Sequence, residues 1–260
     1  MNMLTTKELE IVGKVEPNAL ICAECIEAMK FISDKSIDMV LCDLPYGITN
    51  RNKWDCIIPL EPLWGHYNRV LKDNGLVVLT SWGKFSAQLM MSSTVKYQYS
   101  MVWCKPNHTN QLNAKKQPLR KHEDILVFYN NQPTYNPQGL VIKNSITKQG
   151  QTSTMNYGDQ DRSPYYQEYS NYPTTLVYTT TATTRSHPTE KPLELFEYLI
   201  KTYTNEGDVV LDNCAGSFTT AVGCENLKRK WICIEKEEKY CEIGIKRLDE
   251  IKRNIFSELS

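Results

Sequence analysis

The chain has 260 residues, 30 of them basic and 30 acidic, enough for one large α/β domain or one domain carrying an inserted module. Formal neutrality excludes a global positive field, so any surface for a polyanion has to come from local segregation of charge. No apolar run reaches the roughly 20 residues of a membrane span and Met1-Asn2-Met3-Leu4 opens no signal-peptide core, so a soluble, cytoplasmic protein with no membrane partner is expected.

Residues 1–17 read as an N-terminal extension. A short strand follows at Asn18 to Cys22, then a helical spacing of Ile26, Met29, Phe31 and Ile32 that ends near Ser33-Asp34-Lys35-Ser36. The apolar run Ile37 to Cys42 predicts the next strand. Leu63, Trp64, Tyr67, Val70 and Leu71 mark a helix over Glu61 to Lys72, closed by Asp73-Asn74-Gly75, where glycine suits a left-handed cap. Next come a strand at Leu76 to Thr80, a helix around Phe85 to Met91 and a strand at Tyr99 to Trp103. After a long polar loop, Asp124 to Tyr129 reads as a further strand. Strands alternating with helices predict a mostly parallel, doubly wound sheet.

From 131 to 185 the chain is rich in Thr, Tyr, Asn, Gln and Pro with little apolar periodicity, and it reads as an inserted recognition module, with a disordered linker as the rival. Tyr157, Tyr165, Tyr166, Tyr169 and Tyr172 either stack on a ligand or pack the insert on the body. Order returns at Pro192, with Leu193, Leu195, Phe196, Leu199 and Ile200 on one helical stripe. Asp208 to Asp212 is a buried strand, Asn213 to Ser217 a turn, Phe218 to about Leu227 a helix, Trp231 to Glu235 a strand and Tyr240 to Ile251 a last helix. One domain of residues 18–130 and 186–250 therefore surrounds the insert, with a polar tail at 251–260.

Nine cysteines, scattered through apolar segments, suggest reduced thiols in a cytosol. Cys22 and Cys25 form a lone CxxC, either half a zinc site, a redox pair or small core residues at a strand end. His66, His108, His122 and His187 are dispersed, so no metal centre is expected.

Two constellations carry chemistry. Cys42-Asp43-Leu44-Pro45-Tyr46-Gly47 sets a carboxylate, a stiffened turn and an aromatic at the mouth of a buried strand. An aromatic amine is a poor nucleophile because its lone pair is delocalised, and two acceptors on its N–H bonds orient that pair. Asp43 can take one and the Leu44 carbonyl the other, with Pro45 fixing the turn and Tyr46 stacking on the ring. The rival is that Asp43 caps a helix and Tyr46 is merely half-buried. In the second constellation, Asp212 ends a strand before a glycine-bearing turn, and Glu235 ends the next strand 23 residues on, where an acid grips ribose hydroxyls. An ordinary strand-to-helix connection would look similar, and the chain contains no GxGxxG.

Asp43-Leu44-Pro45-Tyr46-Gly47 resembles the DPPY motif of DNA amino-methyltransferases, and Asp212-Asn213-Cys214-Ala215-Gly216-Ser217-Phe218-Thr219-Thr220 resembles their D-P-F-x-G-S-G-T cofactor motif. The catalytic motif precedes a recognition region and the cofactor motif comes last, the order of the beta class. His187-Pro188-Thr189-Glu190-Lys191-Pro192 is similar to that class's H-x-x-x-K-P element, and Ala23-Glu24-Cys25 stands where the class shows G-D-C. Val102 to Pro106 and His122 to Ile125 match later core strands. The resemblance covers about residues 18–130 and 186–248.

It implies a Rossmann-like class I methyltransferase with a seven-stranded sheet, acting on adenine N6 of a base turned out of double-stranded DNA, with S-adenosylmethionine as cofactor. Asp43, Leu44, Pro45 and Tyr46 would be the catalytic residues. Glu24 and Cys25 would lie beside adenine of the cofactor, Lys191 on its carboxylate and Glu235 on its ribose, with Asp43, Asp212, Cys214, Ala215, Gly216, Ser217, Phe218 and Thr219 completing that site. Lys105, Lys115, Lys116, Arg120 and Lys121 form a basic loop expected to contact phosphates. Alternatives are cytosine N4, an RNA or protein-glutamine substrate, or a non-catalytic DNA-binding subunit; a homodimer is left open. The Pro-Cys nucleophile of cytosine-C5 enzymes does not occur. Two positions depart from the pattern: Leu44 replaces a proline, and Phe218 replaces a glycine where backbone nears the ligand.

Overall fold

The computed structural model describes residues 3–47, 56–147, 164–180 and 190–258. In chain order the elements are β1 (Met3–Thr5), α1 (Thr6–Val12), β2 (Ala19–Cys22), α2 (Cys25–Met29), β3 (Ile37–Asp43), α3 (Leu60–Val70), β4 (Leu71–Ser81), α4 (Lys84–Ser92), β5 (Tyr97–Thr109), β6 (Arg120–Tyr129), β7 (Val141–Thr147), β8 (Tyr165–Ser170), β9 (Leu176–Tyr178), α5 (Leu193–Tyr203), β10 (Val209–Asp212), α6 (Thr219–Asn226), β11 (Lys230–Glu235) and α7 (Glu238–Glu258). They form two compact units, Met1–Asn136 with Thr175–Ser260, and Pro137–Thr174. No helix among the described residues is long and apolar enough to cross a membrane.

The larger unit is built on a nine-stranded sheet of order β1-β2-β11-β10-β3-β4-β6-β5-β9. From β1 to β4 all neighbours run parallel, β6 and β5 are antiparallel additions, and β9 lies parallel to β5. The seven inner strands are those expected; β1 and β9 extend the sheet at its edges and correct the count to nine. Both are three residues long, too short to show alternation.

Beyond the irregularity between Ile37 and Met39, side chains of the inner strands alternate between the two faces of the sheet. Val40, Cys42, Val77, Leu79, Leu211, Ile232 and Ile234 enter one layer with Met29, Trp64, Tyr67 and Leu89 from α2, α3 and α4. Met39, Leu41, Leu76, Val78, Val210, Trp231 and Cys233 enter the other with Leu199, Ala221 and Leu248 from α5, α6 and α7. Burial on both faces is why these strands read as continuous apolar runs. The stripes on α3 and α5 give Leu63, Trp64, Tyr67, Val70 and Leu195, Phe196, Leu199, Ile200 their burial.

Several boundaries differ from expectation. The N-terminal extension holds β1 and α1. The separate unit is Pro137–Thr174 rather than 131–185, and it contains the antiparallel pair β7–β8; Tyr157 and His187 to Thr189 lie outside the described residues. Asp73-Asn74-Gly75 is an irregularity inside β4, not a helix cap. A Cβ at Gly75 would sit 3.0 Å from the Ile37 carbonyl oxygen, so close approach and not a left-handed φ favours glycine. The long polar loop shortens to 110–119, because β5 and β6 pair out to Thr109 and Arg120.

Candidate active site

The carboxyl ends of β2, β3, β10 and β11 converge on one cavity of about 730 Å3 within the larger unit. Ligands of open α/β sheets bind at this end of the strands. β10 lies beside β3, with Val210 opposite Met39 and Leu211 opposite Val40, so two segments far apart in the chain meet here. Of the residues singled out in the sequence, Asp43, Leu44, Pro45, Tyr46, Glu24, Cys25, Lys191, Asp212, Cys214, Ala215, Gly216, Ser217, Thr219 and Glu235 all line the cavity.

Asp43 is held from three sides. Lys191 Nζ lies 2.5 Å from Oδ2, the Tyr46 hydroxyl donates to Oδ1 at 2.9 Å, and Thr80, its neighbour across the β3–β4 ladder, also donates to Oδ1. A carboxylate oxygen has two lone pairs, so Oδ1 is filled and Oδ2 retains one acceptor position. Burial and the charges of Asp43 and Glu123 push the Tyr46 phenol well up, which keeps it a donor. Its ring packs 5.5 Å from Phe85, centroid to centroid.

Behind this group stands Glu123 on β6, which received no role from the sequence. It accepts from Lys105 Nζ at 2.8 Å and lies 3.3 Å from Lys191 Nζ. Burial opposes its charge, yet the two lysines hold its pKa below the ordinary value. Burial likewise opposes the Lys191 ammonium, and Asp43 and Glu123 together raise its pKa. Two carboxylates and two ammonium groups thus form a charge-balanced quartet, buried except for Asp43, whose side chain is 21% exposed at the cavity, the arrangement that satisfies charge removed from water. Lys105 is consequently corrected from a loop residue facing phosphate to a buried member of β5.

In the second half of the site the Asp212 carboxylate organises the turn. Thr220 Oγ1 donates to Oδ2 at 2.5 Å and the Cys214 amide to Oδ1 at 3.1 Å, while Asn213 accepts from the Tyr67 hydroxyl at 2.6 Å. Glu235 accepts the Gly216 amide at 2.9 Å on Oε2 and the Glu237 amide at 2.8 Å on Oε1, with the Lys236 amide as a further backbone donor. Burial raises its pKa. Glu24 caps α2 by accepting from the Glu27 amide at 3.1 Å and from the Cys25 thiol at 3.4 Å. Arg247 on α7, also missed in the sequence, ties the halves: it pairs with Glu190 at 2.8 Å and donates to the Ser217 carbonyl at 2.6 Å.

Burial lifts the Asp212 carboxyl from its ordinary 3.8 to about 6, partly offset by the bonds from Thr220 and the Cys214 amide. The folded state therefore holds this proton more tightly than the unfolded chain, and the associated stability is complete below pH 3.8 and lost as pH rises through about 6. Asp212→Asn, neutral throughout, should escape that loss and gain about 3 kcal/mol over the parent between acid and neutral pH. Thermal melts of both proteins from pH 4 to 8 check this; a constant difference would contradict it.

Phe218 does not point into the cavity. It is fully buried, with φ 62° and ψ 32°, and its ring lies against Gly244 of α7, where an added Cβ would come 2.3 Å from Cδ2. Its place as a side chain on the cofactor is thereby corrected. The backbone keeps the left-handed turn that a glycine would make, at about 1 kcal/mol of strain, and the side chain becomes core.

The remaining basic residues lie on the β5–β6 hairpin. Lys115, Lys116 and Lys121 are exposed; Arg120 lines the cavity mouth and stacks 4.9 Å over Trp82, whose ring meets His122 at 4.8 Å. Among the described residues no group of three or more His, Cys, Asp or Glu could hold a metal.

A parallel sheet extended by an antiparallel pair, with a nucleoside-sized cavity at its carboxyl end, defines the class I methyltransferase fold. PvuII DNA methyltransferase (cytosine-N4-specific) has this fold with a TM-score of 0.65 at 15% identity, over 90% of this chain and 87% of that one. An M1.HpyAVI–SAM complex matches with a TM-score of 0.57 at 22% identity, over 82% and 89%. A family model described as DNA methylase matches residues 37–246, and the chain belongs to that family. It is 28% identical to type II methyltransferase M.HpaI of Haemophilus parainfluenzae, over 88% of this chain and 74% of that protein. It is 27% identical to DNA adenine methyltransferase YhdJ of Escherichia coli, over 90% and 83%.

Proposed function

We propose that this DNA methylase methylates the exocyclic N6 amino group of adenine in double-stranded DNA, on a base rotated out of the helix into the Asp43 cavity. The observation that carries the reading is the remaining acceptor position on Asp43 Oδ2, beside the fixed turn Leu44-Pro45 and the anchored Tyr46 ring. When bound, S-adenosylmethionine supplies an electrophilic methyl group on a sulfonium sulfur.

The chain's own residues do the orienting. Asp43 accepts one amine N–H and the Leu44 carbonyl the other, which aims the nitrogen lone pair; Tyr46 stacks on the base. With the cofactor's sulfonium methyl as the group that would be transferred, Asp43, already holding the amine N–H, would take up the surplus amine proton. Glu235, at the end of β11 on the cavity wall, keeps acceptor capacity for a ribose hydroxyl, and Lys191 has a third N–H for a carboxylate, so the residues present fit the cofactor. The turn from Cys214 to Thr219, with Glu24 and Cys25, forms the wall around them. Lys115, Lys116, Arg120 and Lys121 contact phosphates.

Adenine is favoured over cytosine because the motif opens with Asp43, and YhdJ is named an adenine methyltransferase. The reading carries with it a cytoplasmic location, where both substrates occur. Tritium transfer from labelled cofactor to unmethylated DNA, with methylation-sensitive sequencing of DNA from an expressing host, tests it: label in N6-methyladenine at one sequence context is expected. No incorporation together with no calorimetric binding of cofactor would overturn it, and label in N4-methylcytosine would replace the base assignment.

A further inference from the structure

The loop between β5 and β6 carries one feature that the chemistry above leaves unused. Leu112 is wholly exposed, at the centre of a single 3-10 turn, Gln111–Asn113. Isolated exposed leucines are ordinary on a protein surface. This one is set apart by its place and by the stiffness of its support. Its neighbour Gln111 lines the same cavity as Asp43, as does Arg120 at the other end of the loop.

The turn is closed by its own bonds: Asn110 takes a left-handed φ of 77°, and its backbone and side-chain oxygens accept from Asn113 N at 3.0 Å and Nδ2 at 2.7 Å. Lys116 N then donates to the Asn113 carbonyl at 2.8 Å. From 105 to 121 the sequence has no acidic residue, and Lys115, Lys116 and Lys121 follow the leucine along the same hairpin, all exposed. An apolar tip on a hairpin end whose charged groups are all cationic is complementary to a polyanion whose interior is apolar, which is a base stack.

We propose that Leu112 is a wedge that enters the space vacated in the DNA stack when the target base leaves for the Asp43 cavity, with the exposed lysines of the same hairpin on nearby phosphates. The proposal rests on the DNA-methylation reading. Extruding a paired base costs unstacking and unpairing, and apolar side chains inserted between base steps offset that cost. Burial of the leucine side chain, fully hydrated beforehand, is the compensating gain.

The test uses full-length protein and duplexes bearing the methylated site found by sequencing, either fully paired or with an abasic position opposite the target. Leu112→Ala should lose about tenfold in kcat/KM on the paired duplex, a loss expected for one buried leucine side chain. On the duplex with the abasic partner, where the base is already unpaired, the loss should vanish, and Leu112→Met should recover most of the paired activity. Equal activity of Leu112→Ala and parent on paired DNA, or an equal loss on both duplexes, would overturn the wedge alone. A parent that labels neither duplex would overturn the methylation reading and the wedge with it. Unchanged melting of the variant excludes misfolding as the cause.

Discussion

Asp43→Asn should lower kcat for methyl transfer by roughly a thousandfold while leaving the Kd for S-adenosylmethionine within about threefold of the parent. The substitution keeps the side-chain volume and one acceptor for Tyr46 and Thr80, but it turns an amide N–H toward the position where Oδ2 would accept from the substrate amine. Lys191 loses its shorter partner and keeps Glu123 at 3.3 Å, so its ammonium stays in place. Asp43→Ala should act in the same direction. Isothermal titration with cofactor and single-turnover transfer measured on one preparation separate the two quantities. A tenfold loss of cofactor affinity would mean that Asp43 serves the cofactor and not the base.

The second large effect concerns stability. Phe218→Ala removes a wholly buried ring and should cost about 3–5 kcal/mol, lowering the melting temperature by roughly 10 °C. Gly244→Ala should also destabilise, although alanine is the better helix former by about 1 kcal/mol, because its Cβ would lie 2.3 Å from the Phe218 ring. In the Phe218→Ala background the sign should reverse, since the methyl then enters vacated space and the propensity gain survives. Four melting curves complete the cycle, and additivity within about 0.5 kcal/mol would contradict the contact. The cycle bears on function too, because it isolates the left-handed turn from the ring that the turn carries.

What could be read in the residues divides along physical lines. Ile37 to Cys42 and Asp208 to Asp212 announce themselves because strands covered on both faces carry consecutive apolar residues, Met39 to Cys42 and Val209 to Leu211, and α3 and α5 because one stripe of each is buried. Asp43 with Asp212 could be paired only through resemblance, since the contact between β3 and β10 has no local signature. Lys105 is hard to place for a related reason: the residues after it, Pro106 to Thr109, are all exposed and carry no alternation, so the end of β5 reads as loop and takes Lys105 with it. Thr80 looks like a plain strand end until its register opposite Asp43 is known. The replacement of glycine by Phe218 is visible in the sequence, but its relief, Gly244, lies on another helix with nothing nearby to mark it.

The strand order also bears on how the molecule is made. β2 and β3 follow one another in the chain yet are separated in the sheet by β11 and β10, which are synthesised last. A ribosome-bound chain that has not passed Asp208 holds two open edges meant for strands that do not yet exist, and nothing in their apolar sequences forbids them from joining each other. The gap that later receives Asp212 and Glu235 must be kept open or reopened, so the same permutation that brings the two halves of the site together leaves two strand edges unpaired until the end of synthesis.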